Sequence, residues 1–192
     1  NENYFSSSEI AITSKKELYD FLKNVFPTRD YFEMGFLSCK KLNNIDLSPG
    51  FMDYPSRVDK DVLATYWINN GKELYPSRII SKEESLQEVE GWIDNDDFFV
   101  WRNPKGKIVC MAGLWVESNL AKISHVYTPP EERKKGYCAS LIYSVTKLLL
   151  EKGYEPMLYT DYHYEASNKA YQKVGYENQG LLINYKIKKK NI

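Results

Sequence analysis

The sequence predicts an α/β protein of the α+β kind, in which a mixed, splayed central sheet is flanked by helices. A mainly helical N-terminal region precedes this sheet. Apolar residues recur at helical spacing in five segments, whereas short apolar or alternating runs typical of strands cluster after residue 97. We therefore expect residues 1–80 to form the N-terminal helical region, able to complete the same fold, and residues 81–192 to form a core with the order βββ-α-β-α-β.

Three segments of the N-terminal half have the spacing of amphipathic helices. They are residues 14–25, 59–70 and 81–94. The first starts with Ser14 as a capping residue, the second ends at Gly71, and the third starts with a capping box of Ser81 and Glu84. Prolines and glycines punctuate residues 26–58, which we expect to be mostly loop with one short strand around Phe36.

The C-terminal half contains five predicted strands and two predicted helices. The strands are 98–101, 107–116, 122–128, 157–160 and 181–187, and the helices start at Cys138 and at Ala166. Turn signals separate the first three strands, so they are expected to form an antiparallel meander. In the third strand, alternation places Ile123, His125 and Tyr127 on one face.

Composition favours a reducing, cytoplasmic setting and gives little support for a metal site. The chain has three cysteines without a CxxC pair and only two histidines. No apolar run is long enough for a transmembrane helix, and no membrane partner is expected. Net charge is zero, but residues 1–96 hold 17 acids and 11 bases while residues 97–192 hold 9 acids and 15 bases. The basic residues are scattered, which argues against a nucleic-acid partner.

The stretch YTPPEERKKGYCASL (127–141) has the features of an anion-binding turn. A strand ends at Thr128, and Arg133, Lys134 and Lys135 then precede Gly136 at the start of a helix. The first turn of a helix has unpaired N–H groups and a partial positive charge, so it suits a phosphate. Neither a triphosphate-binding GxxxxGK[ST] motif nor a dinucleotide-binding GxGxxG motif is present.

The R-x-x-G-x-small pattern after SHVYTPP resembles the acyl-CoA pyrophosphate loop of the GNAT superfamily of N-acetyltransferases. A second segment, LYTD followed by SNKAYQKVGY, resembles a later strand and helix of that superfamily. The resemblance covers roughly residues 80–192. It implies a sheet splayed between two parallel strands, here 122–128 and 157–161, with coenzyme A in the gap. It also implies acetyl-CoA as the cofactor and an amine, on a small molecule or a peptide, as the acceptor.

The resemblance assigns the cofactor site residue by residue. Backbone groups of Val126 and Thr128 would bind the pantetheine arm, amides from Lys134 to Ala139 would hold the pyrophosphate beside Arg133, and Asn168 would contact the arm. The expected cofactor-binding residues are Val126, Tyr127, Thr128, Arg133, Lys134, Lys135, Gly136, Tyr137, Cys138, Ala139, Asn168 and Tyr171. Two positions depart from the family: Cys138 replaces a glycine or alanine, and Tyr164 stands where an asparagine is common.

Acyl transfer to an amine requires a neutral amine, a donor for the oxyanion and a proton for the leaving thiolate. By the resemblance, Tyr171 is the expected proton donor, and its hydroxyl has an ordinary pKa of ~10, close enough to a thiol for this task. His125, Glu117 and Asp161 are candidate bases, of which we favour the first two, and a water relay is an equal alternative. The catalytic candidates are therefore Tyr171, His125 and Glu117.

Three other functions remain open at this stage. The chain can be a non-catalytic acyl-CoA-binding module, a cysteine acyl-enzyme that uses Cys138 with His125, or a nucleic-acid binder. The acidic balance and many aromatic residues of 1–100 fit a cationic amine acceptor. The sequence is compatible with either a monomer or a homodimer.

Overall fold

A computed structural model describes residues 9–74 and 78–188 of the chain. Thirteen helices and strands of the described residues are named here in chain order. They are β1 (Glu9–Ser14), α1 (Lys16–Leu22), β2 (Thr28–Ser38), β3 (Phe51–Asp53), α2 (Lys60–Leu74), α3 (Lys82–Asp94), β4 (Phe98–Arg102), β5 (Ile108–Glu117), β6 (Leu120–Tyr127), α4 (Tyr137–Glu151), β7 (Glu155–Asp161), α5 (Glu165–Val174) and β8 (Glu177–Lys188).

The chain divides into two compact units. In its described part, the first unit contains residues 9–37, 159–169 and 177–188. Its strand order is β1-β8-β2 followed by the end of β7, and β1 pairs antiparallel with β8 from Glu9↔Lys188 to Ser14↔Ile183. Its core is a cluster around Ile183 and Tyr185 on β8, against which α1 packs.

The second unit contains residues 38–158 and 170–176, apart from the three residues that are not described. Its strand order is β7-β6-β5-β4-β3, in which β3 to β6 are antiparallel neighbours. Strands β6 and β7 run parallel and pair only from Leu120↔Glu155 to Ile123↔Leu158, although β6 continues to Tyr127. This early end of the pairing is the splay that the resemblance implied.

Helices α2 and α3 cover one face of the part of the sheet that belongs to the second unit. Their buried residues, including Leu63, Val89 and Trp92, form one cluster with Phe98 and Met111 of the strands. Each helix buries its apolar side, and α3 begins where Ser81 accepts a hydrogen bond from the Glu84 amide at 3.0 Å. Burial of these large side chains, at roughly 1.5–3 kcal/mol each, fixes the helices over the strands.

The predicted fold class is confirmed, since a mixed sheet flanked by five helices is observed. The antiparallel meander is also present, and α4 and α5 end near Gly153 and Gly175, both in left-handed conformations. These two glycines act as predicted because a helix commonly stops at a residue with positive φ.

The N-terminal region differs from the expectation in five places. Strand β2 covers residues 28–38, where only a short strand around Phe36 was expected, and β1 and β3 were not foreseen. Ser14 ends β1 instead of capping α1, whose N-cap is Lys15. Helix α2 runs through Gly71, which is buried because Ile80 packs directly over its Cα. The region is therefore as much strand as helix.

A bulge in β6 corrects the predicted alternation. Gly113 pairs with Ser124 and Met111 pairs with Tyr127, so two residues of β6, His125 and Val126, lie opposite the single residue between them on β5. His125 takes a left-handed φ of 51°, the conformation that glycine has as the first residue of a G1 bulge. The extra residue keeps His125 and Tyr127 on the face covered by α2, where they contact Trp67 and Tyr66.

Candidate active site

The loop before α4 turns sharply twice. Lys134 and Gly136 have φ of 62° and 80°, and Gly136 is the N-cap of α4. A side chain at Gly136 would be strained by this φ, and its Cβ would lie 2.6 Å from the Ser48 hydroxyl oxygen. The turn leaves the first amides of a 15-residue helix at the end of the loop, which is the arrangement that binds anions.

Ser48 holds this helix start in place, a contact that no local sequence pattern indicates. Its hydroxyl donates to the Lys135 carbonyl at 2.8 Å, and its amide donates to the Ser140 hydroxyl oxygen at 2.8 Å. Ser140 in turn donates to the Gly136 carbonyl at 3.1 Å. A serine about 90 residues upstream thus holds both sides of the turn through backbone and side-chain bonds.

Two of the three basic side chains of the loop form ion pairs with acidic residues of the protein. Arg133 donates to the Thr128 carbonyl at 2.9 Å and to both Glu73 oxygens at 2.7 and 2.8 Å. Lys135 contacts the buried Glu132 at 2.8 Å, and hydrogen bonds from Lys107 and then Lys135 lower the pKa of that carboxyl. Arg133 was expected beside a phosphate, but the structure uses it to tie the end of β6 to α2.

Lys134 differs from its two neighbours. It makes no ion pair within residues 9–74 and 78–188. An anion at the start of α4 would therefore meet backbone amides and the Lys134 ammonium, because Arg133 and Lys135 already hold carboxylates.

Tyr171 lies buried beside two cysteines at the start of α4 and on β5. Only 6% of its surface is exposed, and its ring packs 6.1 Å from that of Tyr176. Burial, together with Cys138, Cys110 and Tyr176, raises the pKa of Tyr171 well above its ordinary value. The phenol therefore keeps its proton at neutral pH, as a proton donor must.

Cys110 and Cys138 form a hydrogen-bonded pair next to this phenol. Burial raises the pKa of Cys110, whose sulfur also accepts a hydrogen bond from the Thr128 hydroxyl at 3.2 Å. The bond from Cys110 lowers the pKa of Cys138. This bond with Cys110 is the main cause of the lowered pKa of Cys138.

His125 lies on the opposite face of the sheet from Cys138. Its ring contacts Trp67 at 4.7 Å and Trp92 at 5.6 Å, both on the α2–α3 side. Cys138 instead contacts Cys110, which precedes Met111 on β5 and so points to the other face. The expected alternative of a Cys138–His125 acyl-enzyme is wrong, because the sheet separates the two side chains.

The candidate bases are poorly suited or poorly placed. Burial, with Lys122 and Arg78, lowers the pKa of His125 to about 4. Glu117 is exposed at the end of β5, where it pairs with Leu120 in the hairpin. Six residues separate Glu117 from Met111, the partner of Tyr127, or roughly 20 Å along the strand. The structure does not bring Glu117 to the other candidates.

Asp161 and Asn168 belong to the first unit. The Asp161 carboxylate accepts a hydrogen bond from the His163 amide at 2.8 Å, which is a turn-forming contact. Asn168 donates its side-chain amide to the carbonyls of Asp161 and Tyr162, both at 3.1 Å. The Asn168 Oδ1 atom is buried and accepts no hydrogen bond from residues 9–74 or 78–188.

The remaining predicted positions are divided between backbone and core. The side chain of Tyr127 is buried against Tyr66, with the Arg133 guanidinium 5.8 Å from its ring centre. Its part in any cofactor site is therefore limited to its backbone. Tyr164 is half exposed.

Within the described ranges, no group of three or more acidic, histidine or cysteine side chains could hold a metal. No helix there has the length and apolar character needed to cross a membrane.

Part of the chain matches a known family model. The model of the family described as FR47-like protein matches residues 104–184, which include β6, the loop before α4 and α5. No curated protein matches the chain.

Solved structures match the chain in fold. A GNAT-family acetyltransferase from Colwellia psychrerythraea is 13% identical with a TM-score of 0.67, covering 95% of this chain and 65% of its own. A GCN5-related N-acetyltransferase from Sphaerobacter thermophilus is 12% identical with a TM-score of 0.68, covering 96% and 62%. The chain thus spans less than two thirds of the length of these two proteins.

A shorter protein, the PaiA N-acetyltransferase from Thermoplasma acidophilum, was solved in complex with coenzyme A. It is 20% identical with a TM-score of 0.54, covering 72% of this chain and 98% of its own. The chain therefore resembles the FR47-like family in sequence over residues 104–184, and it has the fold of the GNAT acetyltransferases over nearly its whole length.

Proposed function

We propose that the protein is an N-acetyltransferase that moves an acetyl group from acetyl-CoA to a primary amine by direct attack on the thioester. The observation that carries this proposal is the start of α4. Gly136, left-handed at φ 80°, presents first-turn amides directly after a strand that has parted from its parallel neighbour. That combination suits a diphosphate, and the side chains at Cys138 and Ala139 are small enough to leave the backbone accessible.

Two further observations fit coenzyme A. The unpartnered Asn168 Oδ1 can accept a hydrogen bond from an N–H donor, and the pantetheine arm carries amide N–H groups. Lys134, without an ion pair in the described residues, can meet a phosphate charge. In the second unit, the groups proposed to hold the cofactor are the backbone of Val126 to Thr128 and the amides of Lys134 to Ala139.

When bound, acetyl-CoA supplies the acetyl group as a thioester whose C–S bond breaks as the C–N bond to the amine forms. Tyr171 donates its proton to the departing sulfur and recovers one from water. Tyr171 is protonated at neutral pH, but its raised pKa makes it a weaker acid toward the thiolate than a tyrosine of ordinary pKa.

Water is proposed to remove the proton of the amine. His125, with a pKa of about 4, is a much weaker base than an alkylamine, whose conjugate acid has a pKa of ~10. The amine must therefore bind neutral or lose its proton to solvent, so turnover should rise with pH through the alkaline range. Backbone N–H groups of β6 beyond Ile123 are the proposed donors to the oxyanion.

The test combines cofactor binding with turnover. Acetyl-CoA binding is measured by calorimetry, and thiol release is followed with a panel of primary amines. Tyr171→Phe should still bind acetyl-CoA but lose ~100-fold or more in kcat. Tyr176→Phe is the matched control, because its hydroxyl is equally buried but bonds Thr146 at 2.8 Å, so it should lose stability and keep its kcat.

Each alternative function predicts a different result. Binding of acetyl-CoA without thiol release for any amine would make the protein a non-catalytic acyl-CoA-binding module. Absence of acetyl-CoA binding would overturn the proposal altogether.

A further inference from the structure

A pocket of about 290 Å³ opens in the second unit on the sheet face that carries α3. Its walls come from α3, the start of β4, and the adjoining parts of β5 and β6. The residues that matter for its chemistry are Glu88, Trp92, Asp97, Trp115, Lys122 and His125. Its size is near the lower end of pockets for small ligands.

Aromatic rings make its walls rigid and apolar. Trp92 stacks on Phe98 with ring centres 4.1 Å apart and planes at 1°, and His125 stacks on the same indole at 5.6 Å. Trp115 is half exposed and carries the Lys122 ammonium 4.8 Å from its ring centre. These surfaces suit an apolar chain and can also favour a cation.

The pocket also contains two carboxylates without a cation of their own. Neither Glu88 nor Asp97 makes an ion pair within the described ranges, although most acidic side chains of α3 do. Asp97 is half buried, and burial raises its pKa. The Asp97 carboxylate has a hydrogen bond from its own backbone amide but no cation beside it in the described ranges, so a ligand cation placed there would be stabilised.

The pocket reaches the strand that is expected to contact the cofactor. Ser124 and His125 line it, and Val126 is the next residue of the bulge. Pairing of β6 with β7 has already ended at Ile123. An amine held in this pocket would therefore approach β6 where its backbone is proposed to bind the pantetheine arm.

We propose that this pocket binds the acceptor, and that the acceptor is a small diamine. One ammonium lies against Asp97 and Glu88, the carbon chain lies between Trp92 and Trp115, and the second amine, in its neutral form, accepts the acetyl group. This inference rests on the proposed acetyltransferase function and specifies its substrate class. The charged amine of a diamine explains why the pocket has two acidic groups, although the nitrogen that accepts the acetyl group must be uncharged.

A matched series of acceptors tests the charge requirement. Cadaverine, n-pentylamine and δ-aminovalerate share a five-carbon chain and end it in an ammonium, a methyl and a carboxylate. We expect kcat/KM, measured by thiol release, to be roughly tenfold higher for cadaverine than for n-pentylamine. δ-Aminovalerate should be the poorest of the three.

Two isosteric variants connect that preference to the pocket. Asp97→Asn and Glu88→Gln should each lower kcat/KM for cadaverine by up to about tenfold and change that for n-pentylamine by less than about threefold. Glu83→Gln is the control, since Glu83 is an exposed carboxylate of the same helix that does not line the pocket. Thermal melts of all three variants establish that they fold.

Binding of cadaverine to the protein alone, by calorimetry, separates the two proposals. If amines are acetylated without preference for cadaverine, or if the preference survives Asp97→Asn, the pocket assignment is wrong and the acetyltransferase stands. If no amine is acetylated but cadaverine binds the wild type and not Asp97→Asn, the pocket assignment stands and the acetyltransferase proposal falls.

Discussion

Replacement of Gly136 by alanine tests the geometry of the loop before α4 most directly. The substitution adds one methyl group at a residue with φ of 80°, and the new Cβ would lie 2.6 Å from the Ser48 oxygen. A left-handed conformation costs an alanine about 1–2 kcal/mol. Movement of the Ser48 hydroxyl would break its hydrogen bond to the Lys135 carbonyl, which contributes roughly 1 kcal/mol to stability. The expected loss in free energy of unfolding is therefore about 2–3 kcal/mol.

Gly153→Ala is the control for backbone strain. Gly153 ends the same helix with a φ of 81°, and no atom lies within 4 Å of the corresponding Cβ. Both variants force alanine into a left-handed conformation at the same conformational cost. Any difference in stability between them therefore comes from the contact with Ser48. By thermal melting, Gly136→Ala should lie roughly 2–4 °C below Gly153→Ala.

The double variant Gly136→Ala/Ser48→Ala separates the contact from the strain. With alanine at 48 the nearest atom of that residue is its Cβ, 4.0 Å from the new methyl, which is an ordinary contact. The two changes should therefore destabilise the protein less together than the sum of their single effects. Strict additivity would show that Ser48 does not limit the space at Gly136.

Cofactor affinity completes this test. Because the strained turn places the first amides of α4, Gly136→Ala should weaken acetyl-CoA binding about tenfold or more in calorimetry. Gly153→Ala, at the far end of the helix, should bind acetyl-CoA as the wild type does. Equal affinities of the two variants would refute the reasoning that these amides grip the diphosphate.

Three other predictions follow from buried contacts. Arg102 holds the buried carboxylate of Asp59 at 2.7 and 3.1 Å, so Arg102→Met should cost ~3–5 kcal/mol in chemical denaturation. Burial alone would raise the pKa of Asp59, but bonds from Arg102 and Ser56 outweigh it and hold that pKa below its ordinary value. The stability gained from Asp59 should thus be present above about pH 4 and be lost as pH falls further, and denaturation curves of Arg102→Met should lack this loss. Gly71→Ala should cost about 1–3 kcal/mol in the same assay, because its Cβ would lie 2.4 Å from the Ile80 side chain. Cys138→Ala should retain turnover in the thiol-release assay, since the sheet separates that sulfur from His125.

Local patterns predicted those parts of the molecule whose conformation depends on neighbours in sequence. The cap of α3 at Ser81, the antiparallel meander and the glycine stops of α4 and α5 all follow from such patterns. The turn at Gly136 was predictable for the same reason, because the requirement for a glycine there arises within the loop itself.

Features set by distant contacts could not be predicted in this way. Strand β2 has many polar residues, and it becomes a strand because it hydrogen-bonds to β8, far along the chain. Ser48 stabilises the start of α4 from a loop of prolines and glycines that has no periodic pattern. Arg133 was assigned to a phosphate because its motif suggests one, whereas its position beside Glu73 depends on how α2 packs.

The bulge in β6 explains how one strand can serve both halves of the proposed reaction. In a regular strand, Val126 would lie opposite Met111 and face α2, while His125 and Tyr127 would turn to the face of α4. The additional residue reverses this: His125 joins Ser124 in the aromatic pocket, and Tyr127 returns to the core beside Tyr66. Val126 then points toward the face that contains Cys138 and Tyr171. Because the left-handed conformation of His125 costs energy that the surrounding indoles must offset, the packing of Trp67 and Trp92 around this ring is part of what orients the strand.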